Sequence, residues 1–248
     1  MTDIEKLGEM IRNHHRIVFF GGAGVSTESD IPDFRGANGL YRQKTDLPWT
    51  PEEMLSHHFF VEHPVEFFTN YAAFTEAMLK ARPNRAHYVL ADWEREGKLS
   101  AVVTQNIDGL HQRAGSRNVM ELHGSVLRNF CTGCGKSFTV DKFLSLCHPV
   151  PRCPVCGGII KPDVVLYEEP LDMDTMQDAM EAIQEADMLI IGGTSLVVYP
   201  AAGFVDYFTG DSLVMINRDE TAKDSSCDLV FHDSIGKVLD EAAKAAEA

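Results

Sequence analysis

The chain has 248 residues, 44% of them hydrophobic and 24% charged, which fits one large globular domain with a sizeable core. A formal net charge of -15 repels phosphate backbones, so we expect no direct nucleic-acid binding and a basic peptide as a more natural partner. No apolar run is long enough for a membrane span and the start carries no signal or transit pattern, so we expect a cytoplasmic protein.

Short β-branched runs alternate with longer stretches of helical period, which predicts an α/β fold: a Rossmann-like parallel sheet with helices on both faces. The predicted strands are 17–20, 99–104, 119–122, 163–166, 188–191 and 212–216. Thr50 and Glu53 predict a capping box, with Pro51 at the first helical position. Four further helices are predicted from apolar residues at helical spacing, and the last of them, in the tail from Ser234, is expected to have a frayed end. Their apolar faces consist of Ile4, Leu7 and Ile11; of Phe67, Tyr71, Phe74 and Met78; of Met176, Ala179, Met180 and Ile183; and of Ile235, Val238, Leu239 and Ala242.

A glycine-rich turn over residues 21–26 follows the first predicted strand. Such a turn lets the backbone approach a pyrophosphate, although a tight structural turn explains the pattern nearly as well. The dehydrogenase fingerprint is incomplete, because Thr27 stands where a third glycine belongs and a polar loop at 30–39 replaces the second strand. A loop of this kind can close over a cofactor.

Polar side chains follow several later strands, at the sheet edge where open α/β folds bind ligands. They occur at 104–111, at 121–124, in a second glycine-rich crossover at 190–196, and at 215–218. A lone histidine such as His123 is more often a surface or core residue, so its position alone does not establish a catalytic role.

A segment rich in cysteine, glycine and proline, residues 125–162, interrupts the alternation and predicts a small module inserted into a single domain that spans 1–248. Two C-x-x-C pairs, separated by eighteen residues, match the four-thiolate zinc pattern, against the alternative of ordinary buried thiols. Four thiolates complete a tetrahedral shell, so we expect one structural zinc. The predicted ligands are Cys131, Cys134, Cys153 and Cys156.

The motifs GAGVS at 22–26, TQNID at 104–108, HG at 123–124, the paired C-x-x-C and GTSL at 193–196 occur in the order and context of the sirtuins. The resemblance covers nearly the whole chain, from about residue 7 to residue 233. It implies an NAD-dependent protein lysine deacetylase, in which the acyl oxygen attacks the ribose carbon that carried nicotinamide. His123 would then deprotonate a ribose hydroxyl, with Gln105 and Asn106 beside it in the catalytic group. Water finally releases lysine and an acylated ADP-ribose.

The same resemblance implies the residues that contact NAD. Phe34 would cover the reacting ribose, while Ile107 and Asp108 would hold the nicotinamide carboxamide. The full set is Gly22, Ala23, Thr27, Asp33, Phe34, Arg35, Gln105, Asn106, Ile107, Asp108, His123, Gly193, Thr194, Ser195, Asn217, Arg218 and Asp233.

The resemblance also implies a substrate-peptide site formed by Val164, Val165 and Tyr167 on one side and Val197 on the other. The family commonly has Phe-Gly-Glu where this chain has Tyr-Glu-Glu at 167–169, which adds a carboxylate favouring basic substrates. The Tyr-x-x-Arg pair of succinyl-selective relatives is missing at Phe68 and Tyr71, so acetyl or longer neutral acyl groups are expected.

We expect acetylated-lysine peptides as substrates of a monomer that binds no membrane. The alternatives are an NAD-dependent ADP-ribosyltransferase, a long-chain deacylase and a non-enzymatic NAD-sensing or zinc-binding module.

Overall fold

Two sheets of unequal size organise residues 1–33 and 48–247, which are the residues that the computed structural model describes. Six strands form a parallel sheet in the order β3-β2-β1-β7-β8-β9, and three form an antiparallel sheet in the order β5-β4-β6. The strands are β1 (Ile17–Gly21), β2 (Leu99–Thr104), β3 (Val119–Glu121), β4 (Gly124–Cys131), β5 (Ser137–Thr139), β6 (Ile160–Val164), β7 (Met188–Gly192), β8 (Ser212–Ile216) and β9 (Leu229–Phe231).

The central strands of the parallel sheet are apolar on both faces. Every residue of β1 and β7 is buried, and Phe19 and Phe20, which point to opposite faces, are both 0% exposed. Phe19 lies in register between Val102 of β2 and Ile190 of β7. A sheet of this kind needs a layer of helices on each face, as the sequence predicted.

The two layers are supplied by different parts of the chain. Helices α1, α5 and α9 pack on one face, and α8 with a 3₁₀ helix at Ala201–Tyr207 packs on the other. Within the described residues, no helix combines the length and the apolar character that a membrane span requires. The helices are α1 (Asp3–Asn13), α2 (Pro51–Met54), α3 (His57–Glu62), α4 (Pro64–Lys80), α5 (Arg85–Arg95), α6 (Leu110–Ala114), α7 (Val140–Leu146), α8 (Met173–Glu185) and α9 (Ile235–Glu247).

The antiparallel sheet shares an aromatic core with helices α3, α4 and α7. Phe68 of α4 and Phe143 of α7 are both 0% exposed, with ring centroids 6.0 Å apart. Phe67 and Tyr71 of α4 stack on each other in the same cluster. Helical side chains from outside the cysteine-rich segment therefore complete its core.

Two sequence predictions differ from the structure. Residues 163–166 were expected in the main sheet, but β6 ends at Val164 and pairs antiparallel with β4, because Asp163 lies in register with Ser125. The tail was expected to fray, yet α9 remains helical to Glu247, since Arg12 of α1 donates to the carbonyl of Ala245. The elements that had not been predicted are helices α3, α5, α6 and α7 and strands β4, β5 and β9. The capping box of α2 is confirmed, since Thr50 and Glu53 bond reciprocally.

Candidate active site

The candidate site lies at the carboxyl ends of β1, β2 and β7, where the strand order of the parallel sheet reverses. The two glycine-rich crossovers that follow β1 and β7 touch there. The amide of Gly22 donates to the carbonyl of Gly192 at 3.1 Å, and the amide of Gly24 donates to Gly193 at 2.8 Å. A Cβ on Gly24 would lie 2.7 Å from the Cα of Gly193. Close packing of the two crossovers is therefore one reason why these positions hold glycine.

Gly193 is constrained both by its backbone conformation and by its packing. Its φ is +62°, and a Cβ there would lie 2.4 Å from the backbone nitrogen of Val25. Thr194 follows, buried, and its hydroxyl accepts from Gln105 Nε2 at 3.3 Å. The second crossover is thereby joined to the polar segment after β2.

A buried network holds the polar residues that follow β2. Asn106 Nδ2 donates to the carbonyl of Gly22 at 3.0 Å and to Ser26 Oγ at 3.1 Å. Ser26, 1% exposed, donates to Asp108 Oδ2 at 2.7 Å, while the other carboxylate oxygen accepts from Leu110 N at 2.8 Å. Burial raises the pKa of Asp108. Ser26 is not among the predicted site residues, and its only signal in the sequence was its place as the last residue of the glycine-rich turn.

His123 lies between β3 and β4 with a fixed ring orientation. Its Nδ1 is 2.9 Å from the carbonyl oxygen of Gln105. A carbonyl only accepts, so Nδ1 carries the proton and the neutral ring has its lone pair on Nε2. Burial lowers the pKa of His123, so the ring is neutral at physiological pH. His123 is therefore an oriented base. Nothing in the sequence indicated that the Gln105 carbonyl would orient it.

Three non-glycine residues among those described have positive φ angles, and all three flank this region. They are Asp30 at +62°, Glu168 at +76° and Leu196 at +54°. Such conformations cost on the order of 1 kcal/mol or more and often mark functional sites. Glu168 occupies the position where the sequence analysis noted that the sirtuins commonly have glycine.

The predicted peptide-binding residues follow β6 and the second crossover. Val164 is buried, whereas Tyr167 is 37% and Val197 is 55% exposed. The amide of Val165 donates to the carbonyl of His123 at 3.0 Å, which links this segment to the histidine. Val165 and Leu196 pack against the same apolar cluster, so both sides of the predicted peptide site rest on one core.

The remaining predicted NAD contacts are spread around the same sheet edge. Asn217 directly follows β8, and Asp233 lies two residues before the start of α9. Ser195 and Arg218 are exposed, and Thr27 donates from its hydroxyl to the carbonyl of Gly24 at 2.9 Å. Further predicted contacts are Ala23, in a 3₁₀ turn, Ile107, which is partly buried, and Asp33, at the border of the described residues. Phe34, Arg35 and most of the predicted covering loop lie outside the described residues.

The four predicted zinc ligands form one cluster. All four sulfur atoms lie within 4.8 Å of one another; Sγ of Cys131 is 3.4 Å from that of Cys156, and Sγ of Cys134 is 3.8 Å from that of Cys153. A tetrahedral zinc with 2.3 Å bonds spaces its sulfurs about 3.8 Å apart. Amides of Gly133 and Val155 each point at a ligand sulfur at 3.4 Å. The donor set fits one structural zinc with no position for water.

The model of the Sir2 family matches residues 22–200, which include both crossovers, His123 and the cysteine cluster. This chain belongs to the Sir2 family. Among curated proteins it is similar to a Clostridium perfringens protein named NAD-dependent protein deacetylase, with 60% identity over 95% of this chain and 96% of that protein. A Clostridium acetobutylicum protein of the same name is 57% identical over 97% of this chain and 98% of its own length.

Solved Sir2 structures resemble the whole fold. A complex of Sir2 with p53 peptide and NAD+ superposes with a TM-score of 0.87 at 35% identity, covering 98% of both chains. A Sir2 variant with a deacetylated p53 peptide and 3'-O-acetyl ADP ribose gives 0.90 at 35% identity, again over 98% of both chains. The Sir2 fold thus extends from end to end of this chain.

Proposed function

We propose that this chain is an NAD-dependent protein deacetylase that transfers the acetyl group of a modified lysine to ADP-ribose, with His123 as general base. The observation that carries the proposal is the 2.9 Å contact between His123 Nδ1 and the Gln105 carbonyl, which leaves Nε2 as the proton acceptor. Support also comes from the names of the Sir2 relatives and from the bound groups in the Sir2 complexes.

When bound, NAD supplies a ribose whose bond to nicotinamide is broken by the acyl oxygen. Within the chain, Asn106 is held by the Gly22 carbonyl and by Ser26. The buried Asp108 accepts from Ser26, and we assign it to the nicotinamide carboxamide, as the resemblance to the sirtuins implies. Gln105 makes two contacts: its main-chain carbonyl accepts from His123, and its side-chain amide donates to Thr194. We assign the other NAD contacts as the sequence analysis predicts.

The substrate peptide lies between residues 164–167 and Val197 in this proposal. Val165 bonds to the backbone of His123, so a peptide aligned on this segment presents its acyl-lysine toward the base. Phe68 and Tyr71 lie within an aromatic cluster. A succinyl carboxylate buried without a cation costs several kcal/mol, so acetyl is preferred over succinyl.

The proposal includes a single catalytic domain with the cysteine segment as an inserted module. We expect it to work as a monomer in the cytoplasm, where reducing conditions keep the zinc thiolates available. The net charge of -15 favours protein substrates with basic surroundings and disfavours nucleic acid.

The decisive experiment measures nicotinamide release and loss of acetyl from lysine peptides, with and without NAD. A deacetylase makes nicotinamide release depend on the acetyl group, whereas an ADP-ribosyltransferase releases it with unmodified peptide too. His123→Ala should abolish turnover while NAD affinity is retained. The matched control is His14→Ala, because His14 Nδ1 also contacts a backbone carbonyl, that of Met10 at 2.6 Å, on the distant helix α1. Acetyl loss by the His123 variant at the native rate would refute the assignment.

A further inference from the structure

The segment that follows β6, residues 164–167, is held by side chains that the proposed reaction does not use. Beyond Val164 it has left the antiparallel sheet, and its main-chain bonds go to three different places. Val165 donates to His123, Tyr167 donates to Leu55 at 3.0 Å, and Tyr167 accepts from His57 at 3.0 Å. Its geometry therefore depends on whatever fixes those neighbours.

Glu169 is the centre of the first set of contacts. Its Oε2 accepts from Lys161 Nζ at 2.9 Å and from the amide of Leu166 at 3.0 Å. Its Oε1 lies 2.8 Å from His57 Nδ1. One carboxylate thus ties together β6, the turn after it and the start of α3.

Lys161 is the second centre, and it is 8% exposed. Besides Glu169, its ammonium donates to the carbonyl of Val164 at 2.9 Å and, more weakly, to that of Pro162 at 3.4 Å. A buried ammonium needs these acceptors, because removing one partner of a buried ion pair leaves an uncompensated charge. The contact fixes the carbonyl direction of Val164, at the start of the segment.

Glu168 adds an outer contact on the same side. Its backbone has φ +76°, and its carboxylate accepts from the amide of His58 at 3.0 Å and lies 2.7 Å from His58 Nδ1. Both bonds hold a conformation that a glutamate adopts only at a cost. Glu168 and Glu169 together bind two successive histidines of α3.

We propose that Lys161 and Glu169 are positioning residues for the substrate peptide: their ion pair sets the backbone of residues 164–167 to which the peptide aligns. This inference rests on the proposed function, because it takes that segment as the peptide site. The pair acts on peptide affinity, and the NAD side of the cleft, built by β1, β2 and β7, is independent of it.

The test measures binding of a fluorescent acetyl-lysine peptide by anisotropy and of ADP-ribose by calorimetry, in zinc-loaded protein. Lys161→Met keeps the aliphatic stem and removes every donor, so the peptide Kd should rise about tenfold or more. Glu169→Gln is isosteric and keeps an acceptor oxygen, so it is the second variant to measure if Lys161→Met does not fold, and it should raise the Kd about threefold or more. ADP-ribose affinity should stay within about twofold of the native value. Lys161→Arg should recover much of the peptide affinity.

The control is Arg128→Met, which removes two other ion pairs of a residue on β4. Arg128 bonds to Asp163 at 2.7 Å and to Glu121 at 2.6 Å, without touching the segment. It should leave the peptide Kd unchanged. An unchanged peptide Kd in Glu169→Gln, or a parallel loss of ADP-ribose affinity, overturns the inference. Native protein that neither binds nor deacetylates the peptide overturns the proposed function instead.

Discussion

The two halves of this molecule achieve order by different means. In the sheet half, made of the parallel sheet with α1, α5, α8 and α9, the central strands are apolar on both faces and completely buried. In the cysteine half, made of the antiparallel sheet with α3, α4 and α7, three strands pack against an aromatic cluster, and four cysteine sulfurs lie together. Burial alone can stabilise the first half, whereas the second depends on its metal.

Removing a zinc ligand should have the largest effect, and it should unfold only one of the two halves. Cys153→Ala should lose the metal and unfold the cysteine half, because structural zinc contributes on the order of 10 kcal/mol to folding. Zinc content by mass spectrometry and far-UV circular dichroism check this, and the helical and strand signal of the sheet half should persist. Cys227→Ala, outside the cluster, should keep one zinc per chain. A Cys153 variant with native zinc content would contradict the assignment.

Truncating one buried phenylalanine in each half should have the next largest effect on stability. Phe19 in the sheet half and Phe143 in the cysteine half are both 0% exposed. Each change to alanine should lower the free energy of unfolding by about 3–5 kcal/mol. Only the Phe143 variant should release zinc faster to a chromogenic chelator. Equal zinc release from both variants would show that the halves are not energetically distinct.

Acid should weaken the sheet half through two buried histidines. His87 of α5 and His111 of α6 have ring centroids 4.7 Å apart, and within the described residues neither nitrogen of His111 has a hydrogen-bond partner. Burial lowers the pKa of His87 from 6.5 to about 4 and that of His111 well below 6.5. The unfolded chain therefore binds more protons than the folded chain below pH 6.5.

The free energy of unfolding should fall as the pH drops from about 6.5 toward 4, by on the order of 3 kcal/mol for His87 alone, and be insensitive to these groups above that window. Urea titrations across the window measure the slope, with zinc release followed separately because acid also displaces thiolate-bound metal. His111→Phe should flatten the slope. A slope unchanged by that substitution would show that His111 does not contribute to the acid sensitivity.

The two capping boxes that begin with threonine offer the smallest and most local comparison. Thr2 caps α1, which packs on α9, and Thr50 caps α2, which has no buried residue. Each threonine-to-alanine change removes a cap worth about 1 kcal/mol. Thr2→Ala should lower the Tm, whereas Thr50→Ala should mainly speed amide exchange in α2. Serine at either position, which keeps the acceptor, should restore native behaviour; a Tm loss from Thr50→Ala equal to that of Thr2→Ala would contradict this.

Much of the site was predictable because its chemistry is encoded in residue type and spacing. The C-x-x-C pairs predicted the cluster, and the polar residues after β2 predicted the sheet edge at which Gln105, Asn106 and His123 meet. The ion pair between Lys161 and Glu169 had no such signal. A buried lysine and a glutamate eight residues apart form no periodic pattern, and only the turn after β6 brings them together.

The α/β class, the family and the zinc ligands could be predicted from the order of the residues, since apolar periodicity and short-range motifs act over a few residues. Three features emerge only in the folded chain: the sheet to which β6 belongs, the mutual packing of the crossover glycines, and the basic nitrogen of His123. Those features depend on contacts between residues far apart in the chain, such as Gly24 with Gly193, that no local pattern records.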